Sequence, residues 1–244
     1  MLNTDQSRQI IEREEIVICD WDNVIQNIDI PWLVRVYQDR EIFKDYFDEE
    51  KMNVTKKDYL LDVLGRKEYY LNDWLLKDPE KKLPSELFDK FMSYYIDDED
   101  FYNKCAFTNL SEVVALMSEQ KFCKKIVFLS HAPSQMNGVD KRKEKIFEKY
   151  KEINGIEHDK MELVVIDSSI KKHDWVKQHY PNFTTAIDDR MDIIRGYINN
   201  TGICRGIFIL PRLGYNAPLD RFIEDDDKIL DFARSNVIQY MNPF

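Results

Sequence analysis

The sequence is poor in the residues on which several common functional architectures depend. It has 7 glycines in 244 residues, and none stand as GxGxxG or as GxxxxGK followed by Ser or Thr. The glycine loops that let a backbone wrap a nucleotide's phosphates are therefore absent. The 4 cysteines, Cys19, Cys105, Cys123 and Cys204, form no CxxC and no Cys/His pair at zinc spacing, which argues against a structural zinc site and a disulfide framework and points to reducing cytoplasm. Positive charge is in deficit: 35 Lys+Arg against 45 Asp+Glu leave −10, so a protein that coats nucleic acid without regard to sequence is disfavoured, because the phosphate backbone would be repelled. No run approaches the 18 or so apolar residues of a membrane span, so no membrane association is expected. Met1 to Glu15 is polar and charged, without the apolar stretch of a secretory leader.

What the chain does have is a normal core, with 43% hydrophobic residues, and a recurring short apolar run. Ile16–Cys19, Ile126–Leu129, Leu163–Ile166, Thr184–Ile187 and Gly206–Leu210 are each four or five residues long, and most are rich in β-branched side chains. Continuous apolar runs suit strands buried on both faces of a parallel sheet. The stretches between them carry helical spacing, as in Ile146, Phe147, Tyr150 and Ile153, or Ile193, Ile194 and Tyr197. In the tail, Ile229, Leu230, Phe232, Ala233, Val237 and Ile238 predict a final amphipathic helix. Alternating strands and helices predict a doubly wound α/β domain with a mostly parallel, five-stranded sheet.

One interval breaks the rhythm. Between the first two runs lie about 100 residues with no convincing strand. Trp32, Leu33, Val36 and Tyr37, then Leu87, Phe88, Phe91, Met92 and Tyr95, then Leu110, Val113, Val114 and Met117 all fall at helical spacing. The expected organisation is an α/β core of residues 1–25 and 121–244 with a helical insert over 26–120. Asp97–Asp100, Asp225–Asp227 and the basic run Lys141-Arg142-Lys143 with Lys145 are expected to be solvated.

In an open α/β sheet, ligands bind beyond the carboxyl ends of the strands. Those ends carry Asp20-Trp21-Asp22-Asn23, Ser130-His131-Ala132-Pro133, Asp167 through Lys172, Asp188-Asp189-Arg190, and Pro211 through Asn216. Four carboxylates, Asp20, Asp22, Asp188 and Asp189, would meet at one sheet edge. Two unit charges 4 Å apart repel by about 4 kcal/mol at an effective dielectric of 20, so such a group needs a cation. Hard oxygen ligands without His or Cys suit Mg²⁺. Lys172 would supply a fixed positive charge at the start of an amphipathic turn. Its neighbour Lys171, with Asp174 three residues on, reads as the solvated partner.

Taken together these elements resemble the haloacid dehalogenase-like (HAD) phosphohydrolase superfamily. Ile16 to Val24 is similar to its first motif, a strand followed by DxDx and Thr or Val. Ile126 to Ser130 is similar to the second, Lys172 opening a helix to the third, and Thr185 to Asp189 to the fourth in its double-aspartate form. The matches cover roughly 1–25 and 121–200, and the helical insert stands where the family's C1 cap does. The resemblance implies that Asp20 is a nucleophile forming an aspartyl-phosphate and Asp22 the general acid and base. It implies that the Asp22 carbonyl, Asp20 and Asp188 or Asp189 hold Mg²⁺, and that Ser130 and Lys172 hold the phosphate oxygens. Residues i and i+2 of an extended chain point the same way, so Asp20 and Asp22 would both face the substrate while Trp21 packs away from it. Asn23 stands where the family commonly has Gly, and Asn is the next most tolerant residue of a left-handed backbone.

Within the superfamily, Ser130 to Pro133, Ile187 to Arg190, and Pro211 with Tyr215-Asn216 are similar to 5′(3′)-deoxyribonucleotidases. That implies an enzyme whose partner is a small phosphate ester, a nucleoside monophosphate. Trp32 is the foremost candidate for its base slot among Trp32, Tyr37, Tyr69, Tyr70 and Trp74, and His131 would line the pocket. Two other readings compete: a 3′-phosphatase on polynucleotide ends, if the 141–145 run formed a basic groove, and a non-catalytic binding protein of the same fold.

Overall fold

Runs with no polar face belong at the centre of a sheet, and there the computed structural model has Glu15–Cys19 (β1) and Cys123–Ala132 (β2). The structure describes residues 15–56, 58–59, 62, 70–78, 80–132, 138–201, 207–212 and 237–241. β1 pairs in parallel with β2 on one side and with Thr185–Ile187 (β4) on the other, and β2 pairs in parallel with Met161–Asp167 (β3). Ile207–Arg212 (β5) and Val237–Met241 (β6) continue the sheet beyond β4, giving the order β3-β2-β1-β4-β5-β6. The parallel α/β class is the expected one, but the strand count is corrected from five to six. Val237 and Ile238 stand in β6, not in a helix. A short run such as Val-Ile-Gln-Tyr-Met satisfies either period, and β-branched and aromatic content favours the strand. Ile229, Leu230, Phe232 and Ala233 lie outside the described residues.

Side chains alternate across the sheet and feed two cores. Val17, Cys19, Ile126 and Phe128 pack with Leu110, Val114, Ile146, Phe147 and Tyr150, under Asn109–Glu119 and Val139–Ile153. Ile18, Val127, Leu129 and Ala186 pack with Val176, Ile193, Ile194 and Tyr197, under Lys172–His179 and Met191–Thr201. Helices thus cover both faces.

Between β1 and β2 the described elements are helices: α1 (Asp29–Gln38), α2 (Arg40–Phe43), α3 (Glu49–Met52), α4 (Leu71–Leu75), α5 (Ser85–Ile96), α6 (Phe101–Lys104) and α7 (Asn109–Glu119). Leu33, Val36, Phe43, Phe47, Trp74, Leu75 and Phe91 form a third core with no strand residue in it. The segment leaves and re-enters through a paired neck: Asn27 N–H donates to the Ala106 carbonyl at 2.9 Å, Thr108 N–H to Ile25 at 2.9 Å, and Thr108 Oγ1 to Val24 at 2.5 Å. The later helices are α8 (Val139–Ile153), α9 (Lys172–His179) and α10 (Met191–Thr201). Among the described residues no helix is long and apolar enough to cross a membrane.

α9 and α10 meet closely because Gly196 has no side chain: a Cβ there would stand 2.3 Å from His173 Nδ1. Gly196→Ala is expected to lower stability by about 1–3 kcal/mol through overpacking. In a His173→Ala background the same change should become neutral or favourable by up to about 1 kcal/mol, the helix preference for Ala over Gly. Urea unfolding of the four proteins checks this, and a stabilising Gly196→Ala in the parent chain would contradict it.

Candidate active site

The order of strands reverses between β1 and β4, so their carboxyl ends flank a topological switch point, the crevice where open sheets bind ligands. Asp20 N–H donates to the Ile187 carbonyl at 2.8 Å, extending the β1–β4 ladder by one residue. Asp20 and Asp188 thereby become neighbours, one from each strand end. Lys172, the first residue of α9, is 3% exposed and bridges them, with Nζ 2.8 Å from Asp20 Oδ1 and 3.0 Å from Asp188 Oδ2. Asp20 Oδ1 also accepts the Trp21 N–H at 2.7 Å, and Asp188 Oδ1 accepts the Arg190 N–H at 3.0 Å. Lys171 is exposed; of the two lysines, Lys172 faces the carboxylates.

Burial opposes the charge on Lys172, but the attraction of Asp188 and Asp20 outweighs it and holds the ammonium well above the usual lysine range. Asp188 must share that lysine. Burial, against the pull of Lys172 and with the repulsion of Asp20, pushes its carboxyl up to about 6. Carboxylate oxygens of Asp20, Asp188 and Asp189 lie within 4.8 Å of one another, and all three residues are buried. The set is one of hard oxygens gathered out of water. It fits a small divalent cation such as Mg²⁺. The Asp22 carboxylate lies outside this set, so its contribution to a metal would come from its carbonyl.

Asp22 instead has its own lysine. Lys143 Nζ lies 2.5 Å from Asp22 Oδ2, 2.5 Å from Ser130 Oγ and 3.2 Å from the His131 carbonyl, and Ser130 Oγ lies 3.3 Å from Asp22 Oδ2. Three acceptors thus lie around the ammonium, and the Tyr95 hydroxyl also interacts with it. Lys143 is 0% exposed; burial opposes its charge, and Asp22 more than offsets this, raising it above the ordinary value. This corrects the expectation of a solvated basic run. Lys141 and Lys145 are exposed, but Lys143 is buried, and the half-buried Arg142 donates to the Ile96 carbonyl at the end of α5 at 2.6 Å. The signal lay in the spacing: Val139, Lys143, Ile146, Phe147 and Tyr150 form the buried stripe of α8, and Lys143 occupies an apolar position in it.

Local backbone explains how Asp20 and Asp22 reach different lysines. Trp21 is fully buried, edge-on to Phe128, Phe147 and Tyr150, with its indole N–H on Gln26 Oε1 at 3.1 Å. Asn23 has φ +61°, the left-handed conformation that glycine adopts most readily and Asn next. Its side chain adds what glycine could not: Nδ2 donates to Asp29 Oδ1 at 3.0 Å, and Oδ1 accepts the Ile28 N–H at 3.2 Å.

Two expected substrate contacts are engaged elsewhere. Trp32 donates its indole N–H to the Phe91 carbonyl at 2.9 Å and stacks on Tyr95 at 5.4 Å, which spends it in packing. The His131 Nε2–H points to the Ile170 carbonyl at 2.9 Å. Burial and the Lys172 charge lower its pKa below the usual histidine value. Tyr37 donates to the Val54 carbonyl, Trp74 is buried and Tyr70 exposed. Pro211 stands in β5; Tyr69, Pro133, Tyr215 and Asn216 lie outside the described residues.

No protein-family model matches the chain, and no curated protein matches it. Among solved structures it is similar to a Thermotoga maritima protein provisionally assigned as a β-phosphoglucomutase, with 15% identity over 92% of this chain and 94% of that one and a TM-score of 0.48. It is similar to a haloacid dehalogenase-like protein of Agrobacterium tumefaciens, with 14% identity over 92% of each chain and a TM-score of 0.46. A HAD-superfamily hydrolase of Geobacter sulfurreducens gives 10% identity over 82% and 92%, with a TM-score of 0.41.

Lys143→Met would leave Asp22 without its counter-charge, and breaking a buried pair from one side costs about 3–5 kcal/mol. Lys145→Met, on the exposed face of α8, is expected to leave the unfolding midpoint where it is. Equal midpoints for the two variants in urea would contradict the buried pairing.

Proposed function

We propose that this chain is a Mg²⁺-dependent phosphomonoesterase that acts on nucleoside monophosphates, ribo or deoxy, through an aspartyl-phosphate. The observation that carries the reading is the pairing of Asp20 with Lys172 and of Asp22 with Lys143 and Ser130, side by side at the switch point of the sheet. One aspartate is aligned as a nucleophile: among the described residues its two side-chain hydrogen-bond contacts, Lys172 and the Trp21 N–H, fall on Oδ1. The other has Oδ2 taken by Lys143, while Oδ1 makes no hydrogen bond among the described residues. That oxygen is the one left to carry a proton.

In the first half-reaction Asp20 attacks phosphorus, the ester P–O bond breaks, and Asp22 protonates the departing alkoxide. In the second, water attacks the aspartyl-phosphate, Asp22 takes its proton, and inorganic phosphate leaves as Asp20 is restored. Lys172 would hold a non-bridging oxygen as charge builds, and Ser130 Oγ, on the side of Asp22 and Lys143, would hold another. Asp20, the Asp22 carbonyl and Asp188 or Asp189 would hold Mg²⁺, which would neutralise phosphate charge and relieve the repulsion among the carboxylates. In this reading the helical segment over 26–120 serves as a cap, with the neck at Val24–Asn27 and Ala106–Thr108 as its hinge. The burial of Lys143 removes the middle of the basic groove that a polynucleotide-end phosphatase would need.

Phosphate release from a panel of ribo- and deoxyribonucleoside monophosphates is expected with Mg²⁺, to be lost in EDTA, and to be abolished by Asp20→Asn. Asp22→Asn should lower kcat by about 10²–10⁴-fold, the usual contribution of a general acid. Release that survives EDTA or Asp20→Asn would contradict the mechanism. Release from simple phosphate esters but from no nucleoside monophosphate would contradict the substrate.

A further inference from the structure

Lys143 is reached from two sides. α8 supplies its backbone, and Asp22, Ser130 and the His131 carbonyl accept its protons. Its remaining side is closed by the helical segment. The Tyr102 ring, on α6, lies with its centroid 5.6 Å from Nζ, within the range of a cation–π contact. The Tyr102 hydroxyl hydrogen-bonds the Tyr95 hydroxyl of α5 at 2.7 Å, and the two rings meet nearly edge to face at 5.9 Å. Both tyrosines are buried. The Tyr102 carbonyl accepts Gln26 Nε2 at 3.1 Å, and Gln26 Oε1 accepts the Trp21 indole N–H. The chain of contacts from Trp21 through Gln26, Tyr102 and Lys143 to Asp22 therefore begins and ends on the same loop after β1.

We infer that Tyr102, fixed by Tyr95, is a positioning residue for the reaction proposed above: its ring face keeps water from the Lys143 ammonium and so holds that ammonium, and with it the Asp22 carboxyl, in the orientation that presents Asp22 Oδ1 to the leaving group. The inference rests on the phosphatase reading and adds to it a dependence of acid catalysis on a residue of the helical segment. The physical reason is that an ion pair open to water is weak and mobile, whereas a desolvated one with three directed donors has a single geometry. A π-face is suited to this place, since it attracts the cation without competing for its protons.

The test compares two esters. A nucleoside 5′-monophosphate leaves an alkoxide that needs a proton from Asp22; p-nitrophenyl phosphate leaves a phenolate that does not. Tyr102→Leu is expected to lower kcat on the monophosphate by about tenfold or more, with KM and the p-nitrophenyl rate within about twofold. Tyr102→Phe, which keeps the ring, should restore the wild-type ratio of the two rates. Pentafluorophenylalanine at position 102 keeps the shape and reverses the ring's quadrupole, so it should reproduce the loss even if the Leu variant does not fold. An equal fall on both esters, or no fall on either, with an active wild-type protein would overturn the role of Tyr102 alone. A wild-type protein that releases phosphate from neither ester would overturn the phosphatase reading and this role with it.

Discussion

Lys172 and Lys143 are what allow four aspartates to gather at one sheet edge. Each ammonium is out of water, where an isolated charge would be strongly disfavoured, and each is held there by carboxylates that would repel one another without it. The positions of several elements follow from this pairing. α9 must begin where Lys172 can span Asp20 and Asp188, which come from strands that the β1–β4 ladder has set side by side. α8 must turn the residue that follows Arg142 inward, so a lysine sits in a stripe of apolar residues. The loop between Asp20 and Asp22 must send one carboxylate to each lysine while burying Trp21 between them. The left-handed backbone at Asn23 is the turn that permits it.

The same constraint explains why the site tolerates an excess of negative charge. Burial and the neighbouring Asp20 raise the pKa of Asp188 even against the pull of Lys172. A divalent cation among Asp20, Asp188 and Asp189 would remove that cost, so binding of the ion and ionisation of the site would reinforce each other.

Much of this was legible in the amino-acid order. The buried strands announced themselves because a run such as Ile126–Leu129 has no polar face to offer. Strand ends then marked Asp20, Asp22, Ser130 and Asp188, and the turn after Lys172 separated it from Lys171. Other features were not legible, for physical reasons. Val237–Met241 carries a pattern that serves either period, and only its pairing with β5 makes it a strand. Lys143 stood among Lys141, Arg142 and Lys145, where composition suggests solvent; its place on the α8 stripe was readable, but its partner, 121 residues away, was not. Trp32 was near the first motif in sequence, yet the helical segment folds on its own core and takes the indole into packing. Tyr95 and Tyr102 offered no local sign at all, since their relation to Lys143 exists only once the neck has brought α6 back to the sheet.

The central claim is that Asp20 becomes phosphorylated. Protein quenched during turnover and reduced with borohydride would carry homoserine wherever a carboxylate had become an acyl phosphate, and peptide mass spectrometry would find it. The expected result is homoserine at position 20, absent when substrate is omitted. Reduction at another carboxylate, or none while phosphate is being released, would contradict the account.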